Sequence, residues 1–351
     1  MNMLQLDDLK NNEELHAYLR AQGYGGTICD MVFAYLVFLG YGGALEDKIK
    51  NYCKDQSTTT TTTDFVMQVT IPSDSFAFTV VCIDSGVYDG AIDWGDGTTT
   101  TITTFDDSDL SHTYATAGDY EIRLSGAFPR LYLNGMLTAE RNTITSIDNM
   151  GFIGLVSGSS IFRDLDFCTN LTFGNTDQSA NGSLFRLFLN TSAAMTVDMT
   201  NVSFDICNST REAFQAANVT SFDASGASMP NLNTTRDMFV GSTTSYLRIA
   251  DLLNSSNFAI GMFRTFNNVA LDDTDLDQVD PDNLGTLTDM FAGSTSMPPA
   301  EYDKILNAWA ASAPAAKVFT NPFTYTEAGA DARDTLINTY GWTITDGGLE
   351  L

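Results

Sequence analysis

Phe188, Phe214, Phe239, Phe266 and Phe291 recur at spacings of 26, 25, 27 and 25 residues. Leu187, Ala213, Met238 and Met290 precede four of them, and Thr265 precedes the other. A period in the twenties marks a repeat architecture, in which short units stack and bury a continuous core between neighbours. Such a stack offers a long surface, which favours recognition or scaffolding over catalysis. Phe162 carries the period upstream by 26 residues, and Leu137 by another 25. The residues around each aromatic read as a short helix-like stretch, as in Thr210–Phe214 and Thr235–Phe239. A polar turn and a short alternating run follow, as in Met195–Met199, Val219–Phe222 and Leu247–Ile249. Alternation predicts one strand per repeat, with the inward residues stacked along the axis.

The segments Asp237-Met-Phe-Val-Gly-Ser242 and Asp289-Met-Phe-Ala-Gly-Ser294 carry a resemblance to the BspA-like leucine-rich repeats of bacterial and phage surface proteins. The match is best downstream of residue 180. It implies a leucine-rich-repeat-type solenoid over 129–298, with Phe162, Phe188, Phe214, Phe239, Phe266 and Phe291 as its repeating core. A solenoid needs its last open face covered. Residues 299–351 are expected to do this as an α/β cap: one helix with Tyr302, Ile305, Leu306 and Trp309 on one face, a second over 328–338, and a strand after Gly341.

Upstream of the repeats, 65–128 reads as short strands, beginning with Phe65–Ile71 and Phe76–Ile83. Trp94-Gly-Asp-Gly97, followed by His112-Thr-Tyr-Ala-Thr-Ala-Gly-Asp-Tyr120, resembles the polycystic-kidney-disease (PKD) domain. That resemblance implies a small immunoglobulin-like β-sandwich acting as a spacer or interaction module. The expected fold class is thus multidomain and mainly β with short helices.

Residues 1–56 contain a second repeat, of 17 residues. Ala17 to Asp30 aligns with Ala34 to Asp47, placing Tyr18, Gly23 and Tyr24 against Tyr35, Gly40 and Tyr41. Each unit reads as a short helix ended by Gly-Tyr-Gly-Gly, the glycines being free to take the left-handed position past a helix end. A helical mini-bundle this small needs a partner to be stable, so 1–56 is expected to be an anchor. Its Gly-Tyr-Gly-Gly unit resembles short modules of phage structural proteins. Thr-rich residues 57–64 read as a linker.

Charge narrows the partners. The chain has 44 acidic and 17 basic residues, a net charge of -27. Phosphate backbones and anionic lipid are repelled, so neither nucleic acid nor a membrane is an expected partner. The longest apolar run, Met31–Leu39, is too short to span a bilayer. The N-terminus lacks the basic and apolar regions of a secretory signal, so the chain is expected either to stay inside the cell that made it or to leave by another route, such as lysis by a virus. Five cysteines without a Cys-x-x-Cys pair read as buried free thiols.

Catalytic signals are weak. With two histidines, a His-based acid–base or zinc site is not expected, and His112 reads as structural. Asp93 and Asp96 read as turn-capping rather than calcium-ligating. The acidic run Leu271–Asp282 reads as a solvated loop, with cation binding left open. No catalytic, cofactor or metal residues are assigned, and no enzyme is expected. The reading that unites these features is a bacteriophage structural protein on the virion surface, such as a head or tail fibre, decoration or receptor-binding subunit. Residues 1–56 would attach to other virion proteins. The repeat array would face a host-surface glycan or protein, and a homo-oligomer is expected. The alternatives are a bacterial cell-surface adhesin of the same repeat family and a glycan depolymerase.

Overall fold

Strand β1 (Phe65–Ile71) is rich in β-branched and apolar residues, and five of its seven residues are buried. It joins two different kinds of sheet. On one side it pairs antiparallel with β6 (Gly118–Ala127), which pairs with β3 (Asp89–Asp93) and through it with β4 (Thr99–Ile102). On the other it pairs antiparallel with β7 (Ile144–Asn149). From there the pairing turns parallel, through β8 (Asn170–Thr172), β9 (Met195–Asp198), β10 (Val219–Asp223), β11 (Tyr246–Arg248) and β13 (Asp273–Thr274). These ten strands form one sheet, which runs unbroken across the boundary drawn at residue 128.

This is a computed structural model and describes residues 64–84, 86–151, 161–174, 183–294 and 296–350. The anchor repeat, with Tyr18, Gly23, Tyr24, Tyr35, Gly40 and Tyr41, lies outside the described residues. What is described is mainly β, with four short helices.

Strands β2 (Phe76–Thr79) and β5 (Ser111–Tyr114) pair separately and cover one side of the antiparallel strands. Between the two layers lies a core that includes Met67, Val69, Phe78, Val80, Ile92, Trp94, Tyr114 and Ile122. The Trp94 motif is built as a polar clasp on this core. Trp94 Nε1 donates to Thr100 Oγ1 at 3.0 Å, and Tyr114 Oη donates to the Trp94 carbonyl at 2.9 Å. The His112 ring stacks on Trp94 with centroids 5.0 Å apart, and its Nε2 lies 2.7 Å from Asp96 Oδ2. Asp93 and Asp96 each accept a backbone N–H, from Gly95 at 2.9 Å and from Thr98 at 3.0 Å. Gly95 has φ +78°, and a Cβ there would lie 2.4 Å from the Glu121 carbonyl oxygen, so this turn needs glycine.

In the parallel part the chain advances one rung every 24 to 27 residues, from Ile147 to Leu171, Val197, Phe222, Leu247 and Thr274. The short pair β12 (Ile260–Gly261) and β14 (Leu284–Thr286) continues it on another side. Helix α1 (Thr138–Arg141) precedes the first rung, and α2 (Ala250–Asn254) lies between β11 and β12.

Downstream, α3 (Pro299–Ala311) buries Tyr302, Ile305, Leu306 and Trp309, the face expected from their spacing. It packs beside α4 (Glu327–Asn338). Two parallel pairs complete this end: β15 (Val318–Thr320) with β17 (Thr343–Thr345), and β16 (Thr324–Tyr325) with β18 (Gly348–Leu349). Trp309 Nε1 donates to the Leu276 carbonyl at 3.2 Å, and Lys317 Nζ to the Leu284 carbonyl at 2.7 Å. Both bonds engage carbonyls of the last repeat. Cys82, Cys168 and Cys207 are buried free thiols, and burial pushes Cys168 up to about 12.

Burial pushes the Asp96 carboxyl up, but hydrogen bonds from Thr98 and His112 outweigh it and hold the group below its ordinary 3.8. A carboxylate depressed in the folded state stabilises above the unfolded value, and that contribution fades as pH falls through the lower folded value. Asp96→Asn should therefore melt below the wild type near neutral pH, and the gap should close as pH is lowered past 3.8. Melting curves across pH 2 to 7 check this; a gap that does not change with pH contradicts it.

Candidate recognition surface

The six phenylalanines of the period are fully or almost fully buried, and they form a ladder. Successive ring centroids from Phe162 to Phe291 lie 4.9, 6.4, 5.6, 5.8 and 5.5 Å apart, with planes within 30° of parallel. Phe65 of β1 stacks on Phe162 at 6.3 Å and 5°, so the ladder starts in the antiparallel module. At its other end Phe319 and Phe323 meet Phe291 tilted and edge-on, and the parallel stacking stops there.

The stretches around these rings are not helical. Glu212 and Ala216 flank Phe214 with φ of 56° and 53°, and Arg186 and Asn190 flank Phe188 with 52° and 60°. With a left-handed residue on either side of the ring, every second N–H is turned along the stack. Thr210, Glu212, Phe214 and Ala216 donate to the carbonyls of Thr234, Arg236, Met238 and Val240 in the next rung, at 2.7 to 3.1 Å. An α-helix would direct these donors back into its own turn. Here they tie rung to rung, which explains how a segment with helix-like spacing becomes part of the stack.

With the ladder aromatics buried, the outer face of the parallel sheet is polar, while Phe167, Ile206, Phe258 and Phe263 are exposed elsewhere in the repeats. On the outer face of the parallel sheet, Ser146, Asn170, Thr196, Ser221, Tyr246 and Asp273 lie in register as one row. Thr196 Oγ1 donates to Asn170 Oδ1 at 2.8 Å. Beside them run Thr172, Asp198, Asp223 and Arg248. Arg248 lies 4.1 Å from the Tyr246 ring centroid, and its Nη2 reaches both Asp273 oxygens at 2.9 and 3.0 Å. Such a face can hydrogen-bond an extended, hydroxyl-rich or peptide-like ligand through hydroxyl, amide and carboxylate groups at one-rung intervals of about 4.8 Å. The Asn, Thr, Ser and Asp residues between the aromatics pointed to a polar face, but which of them align appears only from the strand register.

The acidic run 271–282 is not a single loop, since it contains β13; Asp272, Asp273, Asp280 and Asp282 are exposed as expected, but Asp275 turns inward. Asp275 is buried, with both carboxylate oxygens accepting backbone N–H groups at the start of α2: Ile249 at 2.8 and 3.1 Å and Ala250 at 3.0 Å. Burial raises its pKa, and these bonds only partly offset that. Asp280 accepts the Asp282 N–H at 2.9 Å, and Asp282 accepts that of Ala315 at 3.0 Å. Asp275, Asp280 and Asp282 thus satisfy backbone donors at the start of α2, within the run itself and ahead of β15. Among the described residues, no group of three or more His, Cys, Asp or Glu is placed to hold a metal ion.

No protein-family model matches this chain, and no curated protein or solved structure is significantly similar to it.

Replacing Asp275 by Ala removes the acceptor shared by two buried N–H groups and should cost about 1–3 kcal/mol. Asp275→Asn keeps one acceptor oxygen and should cost less. Urea unfolding of the two variants tests the order; equal losses would mean that the carboxylate does not act as a cap.

Proposed function

We propose that the chain is a non-enzymatic structural protein of the bacteriophage virion surface, attached through residues 1–56 and presenting its repeats to a host surface. On this reading the antiparallel module is an immunoglobulin-like, PKD-like sandwich, and the rungs are a leucine-rich-repeat-type solenoid of the BspA-like kind with an α/β cap at 299–351. The observation that carries it is the continuity of the stack. β1 pairs with both β6 and β7, and Phe65 begins the ring ladder that ends at Phe291. A rigid platform of this kind holds the polar row from Ser146 to Asp273 at fixed spacing, which is what a surface needs to read an extended ligand. In this arrangement the sandwich is more than a spacer: it covers the first rung, as a terminal unit must.

Immunogold labelling of purified virions with an antibody to residues 1–56 tests the reading. Label is expected on particles, and a chain lacking 1–56 should fold yet fail to join them. Label confined to host cells would favour a cellular adhesin and overturn the proposal.

A further inference from the structure

Residues 161–294 contain six basic side chains, all arginines, and five of them lie within three residues of a ladder phenylalanine: Arg163, Arg186, Arg211, Arg236 and Arg264. Four of these build two copies of one arrangement. In the first, the buried Glu212 carboxylate lies 2.5 Å from Arg186 Nε and 2.8 Å from Arg211 Nη2, and both guanidiniums lie over the Phe185 ring, at 4.8 and 5.6 Å. In the second, the buried Asp237 carboxylate lies 3.1 Å from Arg236 Nε and 2.7 Å from Arg264 Nε, and both guanidiniums lie over Phe263, at 5.1 and 5.0 Å. Each unit holds two arginines and one acid, a charge of +1 in a chain of -27. Asp289, in the following rung, adds a negative charge beyond Arg264.

We propose that these two units are paired anion clamps for a sparsely charged acidic polysaccharide. The arginine side chains are 42 to 46% exposed, while the carboxylates that hold them are only 4 to 6% exposed. Each guanidinium is thus fixed by an ion pair below and an aromatic face beside it, and little conformational freedom is left to lose on binding. A planar guanidinium fork matches a carboxylate or sulfate. Arg186, Arg211, Arg236 and Arg264 sit on four successive rungs, so the centres of the two clamps stand two rungs, roughly 10 Å, from each other at the usual strand spacing. A glycan with one acid group per few sugars can engage both. A nucleic acid strand, with a phosphate about every 3.4 Å, would press several further charges against an acidic protein. The inference rests on the repeats being a recognition surface, and it adds the chemical class of what they recognise.

The test is binding of the full chain to hyaluronate, which carries a carboxylate on alternate sugars, with neutral dextran, polyglutamate and a single-stranded oligonucleotide alongside. Salt-sensitive binding to hyaluronate alone is expected. The double variant R211Q/R236Q leaves each buried carboxylate one arginine, Arg186 or Arg264, and should weaken binding by roughly tenfold or more. K304Q, which removes an exposed charge outside the repeats, should leave it unchanged. If the glutamine variant loses its thermal transition, R211K/R236K keeps the charge without the planar fork and should still bind more weakly than wild type. Wild-type affinity in whichever double variant folds, equal affinity for polyglutamate or the oligonucleotide, or no hyaluronate binding at low salt would each overturn the proposal. Absent glycan binding with virions still labelled would remove this inference and leave the virion reading standing.

Discussion

A buried backbone N–H must be given an acceptor, and around the ladder phenylalanines the chain meets that demand in an unusual way. Left-handed residues four apart bracket each ring from Phe188 to Phe266, and every second N–H there points to the next rung. A residue other than glycine in that conformation costs of order 1 kcal/mol or more. Three or four rung-to-rung bonds at each turn from Phe188 to Phe266, and a ring stacked on each side, offset the cost. The ladder of rings and the ladder of bonds are therefore one device: the bonds set the spacing, and the spacing lets the rings stack.

Unlike structures meet the two ends of the ring ladder. At one end β1 turns the pairing antiparallel and contributes Phe65 as an extra ring. At the other, Phe319 and Phe323 meet the last ring tilted or edge-on, and Trp309 and Lys317 take up carbonyls of the final repeat. An open rung would expose apolar area and unpaired strand edge together, an invitation to aggregate.

What could be read from the sequence was carried by side chains that repeat. The phenylalanine period, the alternating strands and the apolar faces of α3 are such patterns. The conformation of Thr210–Ala216 was not legible, because apolar spacing alone does not separate a helix from a turn whose donors point outward. Phe65 was missed because it lies outside the period, and the aligned polar row because register is a property of paired strands. In the run 271–282 composition suggests solvation, which holds for most of its aspartates but not for Asp275, drawn inward by two backbone donors. The arginines beside the ladder were visible as a pattern at two or three residues before Phe188, Phe214, Phe239 and Phe266. Their sharing of Glu212 and Asp237 was not.

The direction of the rung-to-rung bonds has a mechanical side. The covalent chain runs around the stack, while the hydrogen bonds that join its turns run along it. A pull along the stack therefore bears on those bonds head-on and peels one turn at a time, with each released turn paying out about 25 residues of slack. A pull along a strand would instead be shared by the whole row. The same geometry that makes a firm platform across the rungs makes it a shock absorber along them.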